Sequence, residues 1–324
     1  MPAVSAKLQI TPKVLFLPYL VVPVFLLILA ANYLLHLNLQ QQLPQSPQQV
    51  FILSIIFEKP HIVASSMILL DPEYLRFYHK KLIIHGTIVA GLIAVILLST
   101  GIGGFYAFFY AWTIYHVGKQ QIGVGKMLNR QPSKLYDAWG WVFLTTSLLV
   151  AASIGFIAGM PSWLNPRVLY SLIMLGGVVS IVLAVILTTK LESKLGKYYL
   201  GANTALVLGT TLAFATGFPF FAILLPRLVH DFTAYTFYID HDTNRNKAQA
   251  HQLVYKLTNR LSLPIWLVCL VVSVGLAFLI VTLPPEYAVP AAVVLTLIHY
   301  TTEAFTWKGG GIHRKYLAFK LQPS

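Results

Sequence analysis

Apolar stretches of about 20 residues recur from one end of this 324-residue chain to the other, and no other feature constrains its fold as tightly. In hydrocarbon every backbone N–H and C=O must be bonded within the chain, so repeated stretches of that length imply spanning helices. Ten are expected, at Val14–Leu37, Val50–Leu70, Leu82–Ser99, Gly104–Gly118, Ala138–Ala158, Val168–Leu187, Tyr198–Gly217, Phe218–Ile239, Leu263–Leu283 and Ala288–Trp307. The predicted fold class is all-α, a polytopic transmembrane helix bundle forming one integral membrane domain over residues 1–324. Charged residues make up only 10% of the chain against roughly 25% in soluble domains, which excludes an ordinary soluble enzyme. The first apolar run is too long for a signal-peptide core, so it is expected to stay as the first span.

The net charge of +13 does not indicate nucleic-acid binding, because the basic residues sit in short loops between apolar spans. Basic loops hold Lys7 and Lys13; Arg76, Lys80 and Lys81; Lys119, Lys126, Arg130 and Lys134; Lys190, Lys194 and Lys197; Arg245, Lys247, Lys256 and Arg260; and Lys308, Arg314, Lys315 and Lys320. The loops between them have no base, apart from Arg167. This alternation predicts that both termini are cytoplasmic. The third and fourth helices are expected to turn at Gly101, Gly103 and Gly104. The seventh and eighth should break at Gly217-Phe218-Pro219, since proline cannot continue the helical ladder. Asp71-Pro72-Glu73 reads as the cap of a short helix. Cys269 is the single cysteine and cannot form an internal disulfide.

The histidines fall in a pattern. His36, His251 and His313 have ordinary readings in a helix end, a polar loop and a tail. The other seven lie in, or at the cytoplasmic ends of, the second, third, fourth, eighth and tenth spans. At 1.5 Å per residue, His61, His230 and His299 lie about 15 Å deep, His85 and His116 about one turn in, and His79 and His241 at the mouth. Carboxylates accompany them. Glu58 shares a helix face with His61, Asp231 follows His230, Glu303 lies one turn after His299, and Asp240 and Asp242 flank His241. Each ionisable group in a bilayer is costly unless paired, hydrated or metal-bound. Their gathering in one half of the membrane therefore asks for a reason beyond hydrogen-bonded helix packing.

Histidine with carboxylate is a ligand set for iron, zinc or manganese. The expected metal ligands are His61, His230 and His299, then His116 and His85, with Glu58 and His241 as further candidates. Glu303 and Asp231 are the expected catalytic or orienting carboxylates. Glu58-Lys59-Pro60-His61 has the Glu-x-x-His spacing of bundle di-iron sites once only, and Pro60 is expected to kink its helix. His-Glu-x-x-His is absent, which argues against a zinc protease.

The stretches His230-Asp231-Phe232-Thr233-Ala234-Tyr235 through Asp240-His241-Asp242-Thr243-Asn244-Arg245, and His299-Tyr300-Thr301-Thr302-Glu303-Ala304-Phe305-Thr306-Trp307-Lys308, resemble those of bacterial polytopic membrane proteins. More distantly, the helix-borne histidines resemble the Brp/Blh-type β-carotene dioxygenases and the membrane desaturase–hydroxylase class. That resemblance implies a non-haem iron centre near the cytoplasmic side, carried here by His61, His116, His230 and His299, and a bacterial inner-membrane location. The clustered His-x-x-His-His boxes of desaturases are missing, which argues against a desaturase-style dimetal centre, and β-carotene itself as substrate does not follow. The expected function is a membrane-embedded non-haem metal oxygenase or oxidoreductase, with one or two iron ions in preference to zinc or manganese. Its expected partners are a hydrophobic substrate (lipid, fatty acyl or carotenoid), membrane lipids and an electron donor. The alternatives are a proton-coupled transporter using a His/Asp/Glu relay and a bis-histidine haem-b protein.

Overall fold

The computed structural model describes residues 8–129, 133–156, 165–247, 249–307 and 311–320. Lys7, Arg130, Lys308 and two glycines of the Gly309–Gly311 run lie outside the described residues. Those described are helical, with no strand beyond one isolated bridge between Ile10 and Phe319. In chain order the α-helices are α1 (Pro12–Phe16), α2 (Val21–Leu34), α3 (Leu39–Gln42), α4 (Pro47–Ile68), α5 (Pro72–Asn129), α6 (Lys134–Gly155), α7 (Pro166–Lys190), α8 (Lys194–Ala215), α9 (Pro219–Asn246), α10 (Leu253–Arg260), α11 (Ile265–Thr282) and α12 (Pro285–Thr306).

Among the described residues every expected apolar segment overlaps helix, and four stretches are long and apolar enough to cross a membrane: Pro12–Leu34, Pro72–Gly101, Lys134–Gly155 and Pro166–Lys190. Their apolar side chains face outward in number, among them Leu97 and Leu98 on α5 and Val178, Val182 and Val185 on α7, as lipid contact requires.

The starts of the long helices follow from local chemistry. Asp71 Oδ1 accepts from the Glu73 amide at 2.9 Å ahead of Pro72, and the side chain of Ser133 accepts from the Tyr136 amide at 3.1 Å. Asn165 caps α7 through the Arg167 amide at 2.9 Å, and Ser193 caps α8 through the Gly196 amide at 3.0 Å. Two expected boundaries need correction. Asp71-Pro72-Glu73 opens no short helix but the stretch Pro72–Gly101, ten residues ahead of the expected start at Leu82. The fourth expected span runs on past Gly118 to Asn129. Both extensions hold charged residues, which helix tolerates and an apolar criterion discards. Gly101 interrupts α5 at φ 67°, a conformation open to glycine, and Gly217 (φ 77°) separates α8 from α9. Pro60 lies inside α4 and Pro226 inside α9.

The chain divides into two compact units. The first comprises residues 1–15, 55–93 and 231–324; the second comprises residues 16–54 and 94–230. In the second unit α6, α7 and α8 pack around Tyr136, Trp139, Phe143, Leu187, Leu200 and Val207. Gly155 lies so close to Ala107 that a Cβ there would meet its Cα at 2.6 Å, the close backbone approach that small residues give membrane helices. The core of the first unit gathers Ala64, Ile68, Tyr74, Tyr78, Ala234, Tyr238 and Cys269. Its two chain ends are tied together. The Ile10 amide donates to the Ala318 carbonyl at 2.8 Å and the Lys320 amide to the Ile10 carbonyl at 3.0 Å. Asn244 of α9 donates to the carbonyls of both Leu8 and Tyr316 at 3.0 Å.

Candidate metal centre

In the first unit α4 and α12 bring His61 and His299 together, 3% and 1% exposed. Their Nε2 atoms are 3.2 Å apart and the rings meet edge to face. The far nitrogen of each ring faces a polar side chain. His61 Nδ1 lies 3.2 Å from Asp231 Oδ1, and His299 Nδ1 lies 2.7 Å from Ser65 Oγ. The second contact assigns a proton. The single Ser65 proton goes to the Ile62 carbonyl at 2.7 Å, so Ser65 Oγ accepts and His299 Nδ1 donates. His299 Nε2 then presents a lone pair towards His61 Nε2, which either donates a hydrogen to it or shares a cation with it.

The rest of the expected set is placed as follows. Glu58 is fully buried and bonded to its neighbour. Lys59 Nζ reaches Glu58 Oε1 at 3.1 Å, Thr296 Oγ1 at 3.1 Å and the Ala292 carbonyl at 3.3 Å, so all three ammonium protons have acceptors. Thr296 Oγ1 also lies 3.1 Å from Glu58 Oε1. Lys59 was not among the expected site residues; it sits beside His61 and fastens α4 to α12. Glu303, one turn after His299, accepts from the Tyr238 hydroxyl and lies 3.4 Å from Trp307 Nε1. In the second unit His116 and His230 are both buried, with ring centroids 4.8 Å apart. His85 is exposed on α5, its Nδ1 2.7 Å from the Lys81 carbonyl of its own helix.

His241 belongs to a different cluster. Its Nδ1 is 2.8 Å from Asp242 and its Nε2 is 3.1 Å from the Tyr74 hydroxyl, so protein groups engage both nitrogens. Nearby, Asp71, Glu73 and His251 each place a ligand atom within 4.8 Å of the others. The Arg245 guanidinium already supplies a cation there. It contacts Asp71 at 3.2 Å, His251 Nδ1 at 3.3 Å and the Glu73 carboxylate, and lies over the rings of Tyr74 and Tyr316.

The C-terminal segment adds a residue that sequence placed in an ordinary tail. His313 is fully buried, stacked 3.9 Å from Tyr74 and 5.3 Å from Tyr78, with His241 at 5.1 Å. Burial, then the neighbouring His241 and Arg245, push its pKa from 6.5 down to about 2. A docked tail thus binds fewer protons than a free one between those two values, and its docking strengthens as pH rises through that window. Docking should be at full strength above about pH 6.5 and weaken up to about tenfold for each unit below it. Hydrogen exchange of amides 314–320, corrected for intrinsic rates, should rise accordingly, and His313→Phe should flatten the dependence.

Among the described residues the molecule is thus an all-helical protein with membrane-length apolar helices and buried histidine–carboxylate groups able to hold a metal. No protein-family model, curated protein or solved structure matches the chain.

Proposed function

We propose that this chain is an integral membrane metalloprotein, a non-haem iron oxygenase or oxidoreductase acting on a lipid or isoprenoid from the cytoplasmic side. The observation that carries the reading is the convergence of His61 Nε2 and His299 Nε2 at 3.2 Å in a buried site, with Asp231 beside the far nitrogen of one ring and Ser65 accepting from that of the other. Metal-ligating imidazoles are oriented in this way, by a partner on the other nitrogen. The Ser65 bond fixes the His299 tautomer and turns its Nε2 lone pair towards His61. Glu303, held by Tyr238 and Trp307 one turn along α12, places a ligand atom within 4.8 Å of one on His299 and is a candidate for a third ligand or a proton acceptor. When bound, iron would supply oxygen activation beside an acyl or isoprenoid chain. Ten spans with both termini cytoplasmic is the topology that goes with this reading, and the bridge between Ile10 and Phe319 supports a common side for the two ends.

Protein purified from iron-replete cells should contain stoichiometric iron without a Soret band and should consume oxygen with a lipid or carotenoid substrate. A folded, metal-free preparation refutes the reading. The line Asp231–His61–His299–Ser65 favours one second reading, a proton relay in a transporter, in which a shared proton replaces the metal between the two Nε2 atoms. Metal-free protein whose substrate flux in proteoliposomes follows a pH gradient would establish it instead.

A further inference from the structure

We infer that the second unit binds an anionic phospholipid at Arg167, at the membrane-interface end of α6 and α7. Two independent observations carry this. In sequence, Arg167 is the only base in the loops that alternate with the basic ones, and the only Lys, Arg, His, Asp or Glu between Asp137 and Lys190. The distribution that keeps bases off that side makes a lone arginine there a residue retained for a purpose. In the structure, Arg167 lines an open cavity of about 590 Å³ walled by Ser153 of α6, by Leu169, Tyr170 and Ser171 of α7, and by Phe214 of α8.

The position of the cavity sets its environment. Ser153 is in the last turn of one membrane-length helix and Arg167 in the first turn of the next, so the cavity opens at headgroup depth. Its chemistry is split accordingly. Leu169, Tyr170 and Phe214 offer apolar wall, with the two rings 6.4 Å apart, and the guanidinium offers the charge.

Carboxylates that could neutralise that charge are few in the second unit. Its only carboxylates are Asp137 and Glu192, at the far ends of α6 and α7. Helices of 22 and 25 residues put those ends about 30–40 Å away. An arginine lining an apolar slot at the interface fits a lipid phosphate with an acyl chain below it. The occupant is therefore a phospholipid of net negative charge, such as phosphatidylglycerol.

The test uses the full chain in nanodiscs of phosphatidylcholine, with and without phosphatidylglycerol, read by native mass spectrometry and thermal stability. Wild-type protein should retain phosphatidylglycerol through delipidation and melt higher in its presence. Arg167→Gln, a change at an exposed position that the fold should tolerate, should lose both effects while keeping the melting temperature seen in phosphatidylcholine alone. Equal retention of phosphatidylglycerol by Arg167→Gln overturns the proposal. So does equal retention of phosphatidylcholine by wild type, or an equal thermal shift from inorganic phosphate added to phosphatidylcholine discs.

Discussion

Under the proposed function, His61→Ala and His299→Ala should each yield a protein that remains folded and helical but binds no iron. Each change removes one of the two Nε2 donors that converge at 3.2 Å and leaves the other unable to chelate alone. Neighbouring changes should act differently in kind. Asp231→Asn and Ser65→Ala keep both Nε2 donors and loosen the orientation of the rings, so they should lower affinity by about 10–100-fold and leave iron bound at saturating concentration. Elemental analysis and iron titration on all four variants, with circular dichroism as the check on folding, separate the two groups. Full iron retention in both alanine variants would remove these histidines from the centre.

Lys59→Met should be the most destabilising single change in the first unit. It removes the ammonium bonded to the fully buried Glu58 carboxylate, and breaking a buried pair by removing one partner costs about 3–5 kcal/mol. It also leaves Thr296 and the Ala292 carbonyl without the ammonium that joins α4 to α12. Glu58→Gln combined with Lys59→Met should recover most of the loss, because two neutral groups of similar size need no counter-ion. Unfolding in a graded detergent mixture across the full double-mutant cycle measures the coupling. A single-variant loss below ~1 kcal/mol, the scale of exposed pairs, would mean that water reaches the pair.

Sequence legibility followed the physics of each feature. Helices were legible because lipid exposure demands long apolar runs, and the breaks at Gly101 and Gly217 because only glycine sits easily at positive φ. The true start of α5 was not. Arg76, His79 and Lys80 read as loop, whereas Asp71 and Pro72 already form the helix start. Depth along a helix follows from counting residues, which brought out His61 and His299. Which residue touches which does not, and His85, chosen on the same counting, proves exposed and locally bonded. Lys59 and His313 were missed for a related reason. A lysine beside a proline, or a histidine in a tail after three glycines, has no local signal of burial. Their partners, Thr296 on α12 and Tyr74 on α5, are more than 200 residues away.

The discontinuity of the first unit has a consequence for biosynthesis. Its residues come from three separate stretches, while the second unit is complete once residue 230 has been made. His61 leaves the ribosome 238 residues ahead of His299, so the facing pair cannot exist until α12 has been made. The strap through Ile10 and Phe319 closes later still. Until α12 has been made, Asp231 and His61 lack their final partner in the site. A nascent chain stalled before α12 is the form that quality-control machinery would meet with these polar groups still uncovered.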